Sequence, residues 1–254
     1  MVKLSYKMTC IWKDIFMGTV ALITSGKGGA GKTTITVNLG ATLAQKGARV
    51  VLVDFNMGLR NLDIYLGMED TCLFDLGDVM TGVCKVEKAL VHDDRFGRLY
   101  MLPSPQFKEI NGFSPQHVAG LFGVLKKKFD YILVDMPLGI GSALENAASA
   151  ADVGIVVVTP DYVSLRNADT VDRKLESCGL QKRCFLINQV DLELLRTGNV
   201  PGIEQIARGM STPMGGIIPY DENIHTGNNM GSPVVLASES YIAKNFSSIA
   251  LRIF

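Results

Sequence analysis

Apolar residues fall into short, nearly unbroken runs that end in small or acidic residues, separated by longer stretches with helical spacing. Runs of this kind read as strands buried on both faces, and their alternation with helices predicts a parallel sheet covered on each side. The expected strands are 20–24, 49–53, 99–102, 131–134, 154–158, 183–187 and 214–218. Helices are expected over 33–45, where Gly47 stops the pattern, over 114–127, opened by Ser114-Pro115, and over 164–178 and 239–253. No repeat, low-complexity tract or linker breaks this order. The pattern predicts an α/β fold, a three-layer, doubly wound, mostly parallel sheet, forming one domain over residues 17–254.

Residues 1–16 stand outside the pattern. Val2, Leu4, Tyr6 and Met8 alternate with polar residues as a strand does, while Ile11, Trp12, Ile15 and Phe16 can line one side of a short helix. Lys3, Lys7, Lys13 and Asp14 interrupt the apolar core that a secretory signal requires. The segment reads as an extension of unknown role, or as an upstream start ahead of Met17-Gly18; a surface-binding helix is the alternative.

Composition narrows the choice of function. Lys plus Arg and Asp plus Glu balance at 25 each, which disfavours a globally basic nucleic-acid binder. Cys10, Cys72, Cys84, Cys178 and Cys184 contain no C-x-x-C pair, so neither a zinc cage nor a disulfide framework is expected, and a reducing cytosol fits best. No apolar run approaches the ~20 residues of a membrane-spanning helix. His92, His117 and His225 lack metal-ligand spacing and read as surface or helix-end residues. Lys126-Lys127-Lys128 reads as a solvated helix end, where cations favour the dipole.

The chemistry concentrates in Ser25-Gly26-Lys27-Gly28-Gly29-Ala30-Gly31-Lys32-Thr33-Thr34, which satisfies G-x-x-x-x-G-K-[ST] between an expected strand and an expected helix. Glycines there let backbone N–H groups turn inward around phosphate oxygens. Lys32 then reaches the β- and γ-phosphates, the Thr33 hydroxyl can ligate Mg²⁺, and the helix start adds its positive end. Residues 131–135 form a buried strand ending in Asp135, the arrangement of a Walker B acid that accepts hydrogen bonds from magnesium-bound water. The strand over 49–53 likewise brings Asp54 to the carboxyl edge of the sheet, where open α/β folds bind ligands.

With the additional Lys27, the loop takes the form K-G-G-A-G-K-T and resembles the deviant Walker A ATPase family, to which MinD, ParA and the nitrogenase iron protein belong. Gly58-Leu59-Arg60-Asn61-Leu62-Asp63 is similar to switch I of its MinD branch, and the order of motifs is MinD-like from Met17 to about Ile253. Asp135, Pro137, Gly139 and Ile140 match the family's D-S-P-A-G-I-E, whereas Met136, Leu138 and Gly141 depart from it, so switch II and the contacts made through it diverge. The resemblance implies that Lys27 reaches across a nucleotide-sandwiched dimer to the partner's phosphates and that Asp54 supports magnesium and its waters. It further implies that the residue two positions after Asp54 orients the attacking water. That residue is Asn56 where the family has an aspartate; an amide holds a water but cannot take its proton.

At the base end, the resemblance implies that Asn188 hydrogen-bonds adenine and that Ile218-Pro219-Tyr220-Asp221 supplies the loop over it, with Gln189 in place of the usual arginine. Read from residue type alone, an asparagine at a strand end is a turn former. Ser164-Leu165-Arg166-Asn167-Ala168-Asp169 is similar to the S-V-R-D-S-D stretch where family members meet each other or their regulators, with Asn167 replacing the acid; an ordinary helix start is the other reading.

The function so implied is an ATP-dependent homodimerisation switch, slowly hydrolysing, that uses ATP/ADP and Mg²⁺ and helps place the division septum by recruiting partners to the membrane. The implied partners are a MinC-like division inhibitor, a MinE-like or equivalent topological regulator, and an anionic membrane surface if the full-length protein carries a carboxyl-terminal amphipathic helix. Localisation would be cytoplasmic, cycling to the inner face of the cell membrane. A ParA-like DNA partition ATPase, a flagellar-number regulator and a hydrolysis-impaired nucleotide-binding scaffold are the alternatives.

Overall fold

A computed structural model describes residues 17–106 and 113–254, so the readings made for residues 1–16 lie outside the described residues. The chain begins with β1 (Thr19–Thr24), α1 (Lys32–Gln45), β2 (Val50–Asp54), α2 (Leu62–Leu66), α3 (Leu76–Met80) and α4 (Val86–Ala89). It continues through β3 (Val91–Asp93), β4 (Leu99–Leu102), α5 (Pro115–Lys126), β5 (Tyr131–Asp135), α6 (Ser142–Ala148), β6 (Val153–Val158) and α7 (Tyr162–Ser177). It ends with β7 (Arg183–Val190), α8 (Leu192–Arg196), α9 (Ile203–Gly209), β8 (Met214–Pro219), α10 (Glu222–Asn229) and α11 (Tyr241–Ile253).

The eight strands among the described residues form one sheet in the order β3-β4-β2-β5-β1-β6-β7-β8. Every pairing is parallel except β3 with β4. The expected strands appear within one residue at each end, apart from β7, which runs on to Val190 through a register shift against β8. β3 was not expected, because its three residues are too short to show a period. For the same reason α2, α3, α4, α6, α8, α9 and α10, none longer than eight residues, carry no legible helical repeat.

Both faces of the sheet are covered because alternate residues of each strand point opposite ways. On β1, Val20 and Leu22 join Phe122 and Leu125 of α5 and Val171 and Leu175 of α7 in one core. Ala21 and Ile23 face the other core, with Ile35 and Leu39 of α1 and Phe246 and Ile249 of α11. Each of the Val, Leu, Ile and Phe side chains contributes about 1.5–3 kcal/mol on burial, so these two faces hold the sheet together.

α1 is buried from Thr34 to Ala44, and two of its polar side chains bond back into the helix: Asn38 donates to Thr34 O at 2.9 Å and Thr42 to Asn38 O at 2.7 Å. Gly40 lets this helix sit down on β2, since a Cβ there would lie 2.3 Å from Leu52 Cδ2. That packing seats the start of α1 at the end of β1, between β5 and β6 in the sheet, at the carboxyl edge where ligands bind in open α/β folds.

Candidate functional site

The loop between β1 and α1 turns through Gly29 (φ 71°) and Gly31 (φ 93°), a left-handed conformation that costs glycine little. At Gly31 a side chain is excluded twice over, because a Cβ would also meet Asn188 Nδ2 at 2.2 Å. Among the described residues, no protein acceptor takes the backbone N–H groups of Gly28 to Thr33. Such a run of free donors at a helix start forms a concave site for an anion. Lys32 stands beside it; burial lowers its ammonium pKa, and the nearby Asp135 charge partly restores it.

Asp54 and Asp135 are register partners at the ends of β2 and β5, and neither is exposed. Thr33 Oγ1 donates to Asp135 Oδ2 at 2.6 Å and Asn56 Nδ2 to the same oxygen at 3.0 Å. The other oxygen, Asp135 Oδ1, is buried without a hydrogen-bond partner among the described residues. A buried carboxylate oxygen left open beside a threonine hydroxyl fits a hydrated divalent cation, which takes one or two carboxylates and keeps several waters. Asp54 behaves differently: its oxygens accept from the backbone N–H of Asn56 at 2.8 Å, Asn61 at 2.9 Å and Leu62 at 3.2 Å. It therefore organises the turn over residues 56–62 and faces that backbone, not the open cavity.

Burial first, and the Asp54 charge second, push the Asp135 carboxyl up to about 7, and burial likewise raises Asp54. The folded Asp135 thus binds its proton more tightly than the unfolded chain does. The stability gained is complete below the ordinary carboxylate pKa of 3.8 and is lost as pH rises through about 7. In magnesium-free and nucleotide-free buffer, Asp135→Asn should therefore be more stable than the unaltered protein at about pH 8, by about 1–3 kcal/mol in urea titrations, and the gain should vanish near pH 4. A variant less stable at pH 8 would contradict this ordering.

Lys27 pairs with Asp161 at 2.7 Å, with both side chains partly exposed. Burial pushes the Asp161 carboxyl up, but bonds from Lys27, Thr159 and Ser164 together hold it below the usual carboxylate range. Asp161 caps α7, so that helix begins at Tyr162, and residues 164–169 lie inside its first turns, not at its start. Leu59 and Leu138 line the cavity over the loop, which measures about 510 Å³, and with Ile140, Tyr162 and Val163 they expose a large apolar rim at this edge.

Asn188, Pro219, Tyr220 and Asp221, expected at the base end, bound a smaller recess of about 90 Å³. Asn188 is 4% exposed and donates to Ala30 O at 2.8 Å, which commits its Nδ2 to the loop. Asp221 caps α10 through Asn223 N at 2.7 Å and accepts the Tyr241 hydroxyl. A separate apolar cavity of about 470 Å³ between α3–α4 and α5 lies away from these groups and carries none of their chemistry.

Residues 18–183 match a family model described as an AAA domain. The chain is 38% identical over 239 residues to the septum site-determining protein MinD of Bacillus subtilis (strain 168), covering 93% of this chain and 89% of that protein. The chain belongs to the MinD family. A chain of the MinC:MinD cell division protein complex from Aquifex aeolicus superposes with a TM-score of 0.85 at 36% identity, over 92% of this chain and 95% of that one. The septum site-determining protein MinD complexed with Mg-ADP from Pyrococcus horikoshii OT3 gives a TM-score of 0.82 at 31% identity, over 92% and 95%.

Membership places the chain among MinD-type cell-division ATPases of the doubly wound P-loop fold, as the loop and switch I motifs led one to expect. Within this MinD-family site, several residues escaped the sequence reading. Asp161 holds Lys27. Asn228 donates to Thr34 Oγ1 at 2.9 Å, and Tyr65 and His225 line the same cavity. Only Asp161 had a local signal, as a helix-capping residue before α7. His92 and His117 bond only to nearby loop or cap atoms, while Lys126 and Lys128 pair with Asp152 and Glu87. Among the described residues no cluster of three metal-binding side chains exists, and no helix is long and apolar enough to cross a membrane.

Proposed function

We propose that this chain is an ATP-driven dimerisation switch of the MinD kind, cycling between a monomer with ADP and a dimer with ATP. The observation that carries the reading is the run of backbone N–H groups from Gly28 to Thr33, untaken by any protein acceptor among the described residues, along the cavity that Lys32 also lines. Gly28, Gly29, Ala30, Gly31, Lys32, Thr33 and Thr34 bind the phosphates. Thr33 and the open oxygen of Asp135 hold magnesium and its water shell, while Asp54 supports that shell indirectly by shaping the turn that carries Asn56 and Asn61. Bound magnesium supplies charge neutralisation to the terminal phosphates.

Asn188 contributes its Oδ1 to the base. With Nδ2 tied to Ala30 O, an acceptor remains, which suits the 6-amino group of adenine and repels a 6-oxo group. Pro219 and Asp221 close that side through the turn after β8. Asn56 orients the attacking water without taking its proton. Lys27 leaves Asp161 to meet the partner's phosphates, and the apolar rim of Leu59, Leu138, Ile140, Tyr162 and Val163 is then buried between subunits.

The dimer recruits a MinC-like division inhibitor and answers to a MinE-like or equivalent regulator, and it meets an anionic membrane surface if the full-length protein carries a carboxyl-terminal amphipathic helix. It cycles between the cytoplasm and the inner face of the cell membrane. Light scattering after gel filtration tests the switch. With magnesium and a non-hydrolysable ATP analogue the mass should double, and with ADP it should remain that of one chain. A single-chain mass under both conditions would overturn the reading.

A further inference from the structure

The loop that carries the free donors is held from behind by side chains. Asn167 Nδ2 donates to Gly26 O at 2.9 Å, Ser25 Oγ to Lys27 O at 2.8 Å, Gln189 Nε2 to Gly29 O at 2.9 Å and Asn188 Nδ2 to Ala30 O at 2.8 Å. The donors Asn167, Asn188 and Gln189 come from α7 and β7, so the loop is tied to distant parts of the fold, while the Ser25 bond is local. A trans peptide unit points its C=O and the following N–H in opposite directions. Holding the carbonyls of Gly26, Lys27, Gly29 and Ala30 outward therefore turns the N–H groups of Lys27, Gly28, Ala30 and Gly31 the other way.

Gln189 reaches the loop from an unfavourable backbone. Its φ of 58° is left-handed for a residue with a side chain, and it falls where the register of β7 against β8 is interrupted. Such strain persists where the surrounding structure over-determines it, often at a functional site. Asn167 is fitted to its place just as closely: a Cβ on Gly26 would lie 2.4 Å from its own Cβ, so the loop passes directly over α7.

We propose that Gln189 and Asn167 are positioning residues of the phosphate site. Their carboxamides hold the loop carbonyls outward so that the opposing N–H groups stay converged before nucleotide arrives. The proposal rests on the nucleotide-binding reading above. It assigns both residues to phosphate affinity through the loop, although Gln189 also lines the recess beside Asn188 and Pro219.

Calorimetric titration with Mg-ADP tests this on the unaltered protein and on Gln189→Met, Asn167→Ala and Gln189→Lys. Removing one neutral hydrogen bond should weaken Mg-ADP about 5-fold in each of the first two, and about 25-fold in the double variant. Gln189→Lys keeps a donor and should bind within about 2-fold of the unaltered protein in ~0.5 M salt, where its added charge is screened. The preference for Mg-ADP over magnesium inosine diphosphate, which keeps the phosphates and changes the base, should be unaltered in every variant.

Binding by Gln189→Met and Asn167→Ala within 2-fold of the unaltered protein would overturn the proposal. So would failure of the lysine variant to bind, or a changed base preference, which would make Gln189 a base contact. If the unaltered protein takes up neither nucleotide, the nucleotide reading itself falls.

Discussion

Lys27→Ala should lower ATP hydrolysis by about 10³-fold or more and abolish the ATP-dependent dimer, while Mg-ADP binds the monomer as before. A cation delivered in trans to the transferring phosphoryl group contributes about 10³–10⁵ to the rate. Within the single chain Lys27 pairs with Asp161 at 2.7 Å, where the two side chains are 42% and 34% exposed. A partly solvated pair of this kind contributes about 0–1 kcal/mol, so its release costs little against a triphosphate. Asp161→Asn keeps a helix-capping group at α7 while loosening the lysine, and it should hydrolyse ATP no more slowly than the unaltered protein. Phosphate release and sedimentation of both variants would check this. Turnover by Lys27→Ala at the unaltered rate would remove Lys27 from the chemistry.

Asn56→Asp should raise turnover at saturating Mg-ATP by about 10- to 100-fold. General-base assistance contributes about 10²–10⁴, but phosphoryl transfer depends chiefly on positioning and charge, so only part of that range is expected. The same substitution removes a donor 3.0 Å from Asp135 Oδ2 and sets a third acid beside two buried ones. Without magnesium the variant should therefore melt several degrees lower, with the difference shrinking when Mg-nucleotide is added. Equal and negligible phosphate release from both proteins would favour a nucleotide-binding scaffold over a switch that turns over.

These two effects show how far local sequence reaches. The phosphate loop was legible because its requirements are consecutive in the chain: glycines at 28, 29 and 31, Lys32 and Thr33, a strand before and a helix after. The long buried strands were legible because a continuous apolar run has few other places to go. The short helices and β3 were not, since four to eight residues, or three, give too little periodicity to stand out from a loop.

By itself, the sequence determined the fold class, the position of the phosphate loop and the two acids at strand ends, because each depends on spacing within one short segment. Only the tertiary structure decided what those groups touch. Strand order brings Asp54 beside Asp135, though β3 and β4 intervene between them in the chain. Lys27 meets Asp161 from 134 residues away, and Asn228 reaches Thr34 from 194. Such contacts follow from how helices pack across the sheet, which no local pattern encodes; the same packing leaves an oxygen of Asp135 open and ties the carbonyl of Gly29 to Gln189.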